Sequence, residues 1–187
     1  MSTSPTLETG RLTLRQVREH DVQDIFEYAR NPSVLRYTTA ETPTHAEQTM
    51  VFVMDAVHKP EGAYAWAMCL RGMDQVIGVI EFAVQGTVGS VDYAMAEPYW
   101  NRGLMTEAVG AVLKWGFAAH PAMMEVRSTA HVENTASRRV MEKCGMEHAR
   151  TVQERWKKLA TPVTLAVYSI HRGRHMEMFG GERKIED

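Results

Sequence analysis

Along the chain, apolar residues recur in steps of two at some places and in steps of three and four at others, and the changes of step mark the elements. "RLTLRQV" sets Leu12 and Leu14 between polar neighbours and predicts a first strand. Asp21 then caps a short helix with Val22, Ile25, Phe26 and Ala29 on one face. "NPS" at 31–33 ends it, because the residue before a proline avoids the helical region. "THAE" at Thr44 reads as a capping box with Glu47 in the reciprocal place. It opens a second helix whose face is Ala46, Met50, Val53, Met54 and Val57. Three strands follow, "AYAWAMCL" (63–70), "VIGVIEFA" (76–83) and "GSVDYAMA" (89–96), and the short glycine-containing breaks between them predict antiparallel hairpins. After "YWNRGLMTEAVG" (99–110) the apolar positions Met105, Ala108, Val109, Val112, Leu113, Gly116 and Phe117 keep helical spacing. "EVRSTAH" (125–131) is a further strand, Asn134 to Cys144 a helix, and two more strands fall near 147–155 and 163–171. The closing "GGERKIED" is polar and predicts a frayed end. Hairpins combined with helical crossovers predict a mixed α/β (α+β) sheet rather than a doubly wound one.

Composition narrows the partners. At 187 residues, 44% hydrophobic and 24% charged, the chain predicts one ordinary domain with a real core. A net charge of −2 gives no reason to expect nucleic acid, and no apolar run is long enough to cross a bilayer, so no membrane partner is expected. "MSTSPTLETG" lacks a basic and then apolar leader, and the two cysteines, Cys69 and Cys144, sit inside apolar patterns. Neither a disulfide framework nor a metal cluster is expected, and a cytoplasmic protein is. The 13 methionines read as core filler.

The junction at Asn101–Arg102–Gly103 is where chemistry enters. It joins a strand to a strongly amphipathic helix whose first-turn N–H groups, from about Gly103 to Thr106, lack helical acceptors. The helix dipole puts about half a positive charge there, glycine permits close approach, and Arg102 adds a full charge. These features predict a phosphate cradle, although a lone glycine can equally make nothing more than a tight turn. The stretch is neither a P-loop nor a dinucleotide-binding glycine motif. Glu107 would be awkward beside a phosphate, and helical geometry turns it about 100° away from Thr106. Downstream, "NTASRRVMEKCG" has Asn134 as cap and Gly145 past its end. Ser137 shares the inward face of Val140, Met141 and Cys144, either bonding back to its own helix or pointing a donor into a cleft. Glu81 and Asp92 are carboxylates on the central strands, each also readable as solvent-facing.

"YWNRGLMTEAV" resembles the glycine signature of the GNAT superfamily of N-acetyltransferases, in its Rim-type (ribosomal-protein N-acetyltransferase-like) form, with Gly103 on the first glycine. "VENTASRRVMEKCGM" resembles that branch's downstream block, and "NPSVLRYTT" its segment between the first two helices. The resemblance covers about residues 7–172 and implies a single acetyltransferase domain over 1–187, with 173–187 as a tail. It implies a mixed, mostly antiparallel sheet of about seven strands flanked by about four helices and splayed where acetyl-CoA binds. By position, Arg102, Gly103, Leu104, Met105 and Thr106 would hold the pyrophosphate of acetyl-CoA. The strand end from Tyr93 to Glu97 would bond the pantetheine arm, with an N–H near Met95 polarising the thioester, and Asn134 would hold the arm from the other side. Met141 stands where many relatives carry a tyrosine acid; the Rim-type branch instead has serine at the position of Ser137, so the resemblance implies Ser137 as the general acid. Glu81 and Asp92 on the central strands are the candidate bases. The implied activity is acetyl transfer to a primary amine, either a small molecule or a protein N-terminus, with acetyl-CoA as cosubstrate and no metal. A non-catalytic acyl-CoA sensor or scaffold, or use of another acyl-CoA such as succinyl-CoA, are the alternatives. A monomer or a homodimer fits equally.

Overall fold

The computed structural model describes residues 2–179. Eight strands form one sheet: β1 (Leu7–Glu8), β2 (Leu12–Gln16), β3 (Ala63–Leu70), β4 (Val76–Gln85), β5 (Val88–Met95), β6 (Glu125–His131), β7 (Glu147–Glu154) and β8 (Val163–His171), in the spatial order β1-β2-β3-β4-β5-β6-β8-β7. Every neighbouring pair is antiparallel except β5 and β6. Six helices complete it: α1 (Val22–Ala29), α2 (Pro32–Leu35), α3 (Ala46–Val57), α4 (Leu104–Ala119), α5 (Thr135–Lys143) and α6 (Arg172–Phe179). The crossover between β5 and β6 is α4, which is what allows that one pair to run parallel.

Alternation along the central strands feeds two cores, one on each side of the sheet. Leu14, Trp66, Met68, Ile80, Phe82 and Val91 pack beneath α4 and α5, against Val109, Leu113, Phe117 and Met141. Ala65, Ala67, Val76 and Val79 face the opposite way, against Ile25, Ala29, Val53 and Ala56 of α1 and α3. Gly116 lets α4 lie directly on Phe82, since a Cβ there would come within 2.6 Å of the ring. Met68, Met95, Met105, Met123, Met141 and Met146 are buried as core filler, whereas Met50, Met73, Met124, Met176 and Met178 are exposed, so the filler reading holds for only part of the methionines.

Several local expectations are corrected. Asp21 makes no side-chain cap on α1. Its carboxylate is taken instead by the buried Arg15 guanidinium, two bonds of 2.8 Å each, and by the N–H of Arg18 at 2.7 Å. The second helix starts at Ala46, and the reciprocal capping residue is Gln48, whose Oε1 accepts from the N–H groups of Thr44 (2.7 Å) and His45 (3.4 Å). Its buried residues are Thr49, Val53 and Ala56, while Met50, Val51 and Phe52 are exposed. This helix is apolar almost all round from Met50 to Met54, so periodicity alone does not fix which side is buried. The short β1 and the short α2, capped by the Asn31 side chain accepting from Ser33 N–H, have too few residues to show a period. Residues 172–179, expected to be mostly tail, form α6, and Arg172 ties it down by donating to the carbonyls of Met123 (2.8 Å) and His120 (2.7 Å). The polar stretch 180–187 lies outside the described residues.

Candidate active site

Pairing between β5 and β6 covers only three positions, from Val88–Glu125 to Ser90–Arg127. At the next step the Ser128 hydroxyl donates to the Val91 carbonyl at 2.8 Å, and beyond it the two strands part. Backbone groups alternate sides along a strand, and the Ala96 N–H donates to Ile77 of β4 at 2.8 Å. The N–H groups of Tyr93 and Met95 therefore face away from β4, into the opening. The opening leads to a cleft of about 950 Å³ whose walls include Asp92, Tyr93, Thr129, His131, Asn134 and Ser137.

Alternation also divides the two residues that matter most on β5. Tyr93 turns toward α5, where its hydroxyl lies 3.0 Å from Ser137 Oγ and 3.1 Å from the Ser137 carbonyl. The carbonyl can only accept, so a phenol donating there leaves the Ser137 hydroxyl proton free to turn elsewhere. Burial pushes the Tyr93 phenol far above its ordinary value, and the bond to Ser137 only partly offsets this. Tyr93 thus stays protonated as a hydrogen-bonding partner. Asn134 caps α5 by accepting from Ser137 N–H at 3.1 Å, so cap, serine and tyrosine form one connected unit.

Asp92 faces the other way and is cross-strand partner to Glu81. Its side chain is exposed at the cleft wall, and partial desolvation there, with the Glu81 charge beside it, pushes its carboxyl above the usual range. Glu81 is already answered by Lys59 Nζ at 2.7 Å, and Lys59 also pairs with Asp55. Of the two carboxylates, Asp92 is the one without an ion-pair partner among the described residues. The cysteines are not nucleophiles: burial pushes Cys69 up to about 11 and Cys144 to about 12.

The cradle stands at the other end of α5. Gly103 has φ 74°, left-handed and cheap for glycine, and Asn101 is left-handed too at 57°. The first bond of α4 runs from Glu107 N–H to the Gly103 carbonyl, 3.1 Å, which leaves the N–H groups of Leu104, Met105 and Thr106 pointing out of the helix end. Met105, buried at 6%, turns into the core and does not crowd them. Glu107 does more than point away. Its carboxylate accepts from the Thr9 hydroxyl (2.6 Å), the Arg11 N–H (2.8 Å) and Arg11 Nε (2.7 Å), while Arg11 also donates to the Arg102 carbonyl at 2.8 Å. The guanidinium is thereby parked beside Gly103. The donor set of this loop, free N–H groups with Arg11 and Arg102, fits a phosphate group.

The structure thus gathers Ser137, Asn134, Asp92 and Glu81 around one cleft, and sets residues 102–106 apart from its walls. Thr106 is linked to the far end of α5, where Cys144 Sγ donates to its carbonyl. Ser137 and Cys144, the C-cap of α5, are seven positions apart, about 10 Å at ~1.5 Å per position. An extended arm bridging cradle and serine has that length to cover. Glu97 does not line the cleft; it lies past the end of β5, and its carboxylate accepts from the Asn31 side chain instead. Sequence reasoning gave Tyr93 no role for its hydroxyl and missed Arg11. Strand alternation was enough to put Tyr93 opposite Asp92, but the Arg11–Glu107 pair spans 96 positions and no local pattern reveals it.

A sheet opened at one parallel pair, free helix-end N–H groups and a cleft holding a hydroxyl and carboxylates are the parts that a group-transfer enzyme needs. The sequence model of the acetyltransferase (GNAT) domain matches residues 11–147, and the chain belongs to this acetyltransferase family. It is similar to the uncharacterized N-acetyltransferase YoaA of Bacillus subtilis (strain 168), with 28% identity over 175 residues, 91% of this chain and 98% of that one. A solved GNAT-family acetyltransferase from Bacillus anthracis superposes with a TM-score of 0.79 at 26% identity, over 89% of this chain and 98% of that one. RimL, the ribosomal L7/L12 alpha-N-protein acetyltransferase in an apo crystal form, superposes with a TM-score of 0.78 at 18% identity, over 89% and 94%. That last likeness is one of fold alone.

Proposed function

We propose that the protein transfers an acetyl group from acetyl-CoA directly to a primary amine held in the cleft. The observation that carries this is the end of pairing at Ser90–Arg127, which leaves the N–H groups of Tyr93 and Met95 facing Ser137 and Asn134 across an opening. The cosubstrate supplies an acyl thioester; the chain supplies the rest. The N–H groups of Arg102 to Thr106, with Arg11 beside them, hold the two phosphates. Asn134 steadies the arm, and the Met95 N–H receives charge developing on the thioester oxygen. An alkylamine with a pKa near ~10.4 is protonated at neutral pH, so a base must take its proton. Asp92 does this, directly or through water, because Glu81 is engaged by Lys59. Ser137 donates to the departing thiolate, with Tyr93 holding it in place.

Two measurements test this. Thiol release from acetyl-CoA should depend on an added amine. Gly103→Ala should weaken acetyl-CoA binding at least about tenfold, roughly 1.4 kcal/mol. The added Cβ would sit 3.5 Å from Arg11, an ordinary contact, so only the left-handed strain of about 1–2 kcal/mol falls on the fold. Equal affinity of the two proteins by calorimetry would place the phosphates elsewhere.

A further inference from the structure

The charge of the whole chain is close to neutral, but the charge of the cleft is not. Five carboxylates line it, Glu41, Asp55, Glu81, Asp92 and Glu154, and neither a lysine nor an arginine is among its walls. Lys59, standing behind Glu81, answers that residue and Asp55. Lys158 lies near Glu41, and its ammonium is also spent on the carbonyls of Leu35 and Ala40, 2.8 Å each. Asp92 and Glu154 have no ion-pair partner among the described residues. A concave surface lined by one sign of charge focuses its field into the cavity and draws in ligands of the other sign.

The apolar part of the wall points the same way. Tyr37 stacks on His131 at 5.1 Å between ring centroids, Trp156 lies 6.0 Å beyond, and Phe52 and Val51 of α3 present exposed carbon to the same space. Lys158 already sits over one face of Trp156, 5.8 Å from its centroid, so that ring is accepting a cation. Thr49, a wall residue only 4% exposed, keeps a hydroxyl Oγ1 without a protein partner among the described residues. Buried polar atoms are normally paired, and a hydroxyl such as Thr49 accepts from an ammonium.

We infer that the acceptor is a flexible oligoamine: an aliphatic amine with at least one further cationic nitrogen, its reacting end at Asp92 and its other charges toward Glu41 and Glu154. This rests on the acetyl-transfer reading above. The sheet order sets the length. Glu154 on β7 is three strands from Asp92 on β5, at least about 14 Å at ~4.8 Å per strand and more because β5 and β6 have parted at this level. Side chains reach in from both ends, so a chain with two or three charged nitrogens spans the remainder, with its methylenes against Tyr37, Phe52 and Trp156.

The test compares a linear triamine, 1,4-diaminobutane and 1-aminobutane on the full chain saturated with CoA by calorimetry, and in parallel by thiol release from acetyl-CoA. The triamine should bind at least about tenfold more tightly than the monoamine, and its advantage should shrink as sodium chloride rises from about 0.02 to about 0.3 M. Glu154→Gln, at an exposed strand end, should cut the triamine-to-monoamine ratio about threefold. If the monoamine binds and turns over as well as the triamine, or an amine carrying a carboxylate is preferred, this inference falls while acetyl transfer stands. If the triamine binds tightly but no amine releases thiol, the transfer reading falls and the cation site stands.

Discussion

At the scale of single residues, Ser137 carries the sharpest prediction. Its hydroxyl is within 3.0 Å of Tyr93, lines the cleft, and has no bond within its own helix that would need it there. A thiolate with a pKa near that of free cysteine, about 8.5, leaves fairly well unaided, so loss of the donor should cost less than the usual ~10²–10⁴-fold of general acid help. Ser137→Ala should therefore lower kcat about 10- to 100-fold and leave the acetyl-CoA dissociation constant nearly unchanged, since the bond strengthens only as charge develops on sulfur. A kcat within about twofold of the parent, with chemistry shown to limit the rate, would assign the proton to water. Helical spacing alone had put Ser137 with Met141 on the inner face, and strand alternation carries the signal, not used in the sequence reading, that sets Asp92 and Tyr93 on opposite faces. What those patterns do not carry is the partner. That Glu107 would be gathered by Thr9 and Arg11, or Glu81 by Lys59, depends on chain segments brought together only by the fold. The same holds for the charge of the cleft, which a near-neutral composition conceals.

At the scale of elements, the helices α4 and α5 were legible because each keeps its apolar residues at helical spacing. The strands β3 to β5 were legible because apolar runs are broken by short glycine-containing turns, although β3 and β4 bury both faces. The ambiguous case was α3, apolar nearly all round, where the small residues Thr49 and Ala56 decide which side can approach the sheet. The entry to α1 shows a different cause. Asp21 has the composition of a helix cap, but a buried guanidinium is a stronger claimant on a carboxylate than a helix N–H. Arg15, 6% exposed, takes both carboxylate oxygens of Asp21 and also reaches Asp74 Oδ1 in the β3–β4 turn at 2.8 Å, tying β2, the start of α1 and that turn together. Breaking a buried pair from one side leaves an uncompensated charge and costs about 3–5 kcal/mol. Since Asp74 remains as a second partner, Asp21→Ala should cost about 3 kcal/mol, read as a lower midpoint in urea with an unchanged slope. A loss below about 1 kcal/mol would mean that Asp74 and water suffice to hold Arg15.

At the scale of the whole molecule, the sheet has a seam between β5 and β6, crossed within the sheet by three positions of pairing and the Ser128–Val91 bond, and over its faces by Tyr93–Ser137 and the core shared beneath α4 and α5. Everything from β1 to β5 lies on one side of that seam, and β6, β8 and β7 on the other. A ligand seated in the opening would bond to β5 on one side and to α5 on the other, and so would act as the missing part of the ladder. If the cleft takes acetyl-CoA as proposed, the ligand at about 100 times its dissociation constant should stabilise the folded chain by about 2.7 kcal/mol. For a chain of this size that raises Tm by roughly 5–10 °C, at about 2–4 °C per kcal/mol. A ligand on any outer surface would raise Tm equally, so the distinguishing measurement is local hydrogen exchange. The amides of Tyr93 and Met95, aimed into the opening, should exchange fast in the free protein by comparison with Ala94 and Ala96, whose N–H groups face β4. On adding acetyl-CoA, Tyr93, Met95 and the first turn of α4 from Leu104 to Thr106 should gain protection beyond the change seen across β2 and β3. Uniform protection over the whole sheet, with no excess at these amides, would show that the ligand stabilises the fold without bridging the seam.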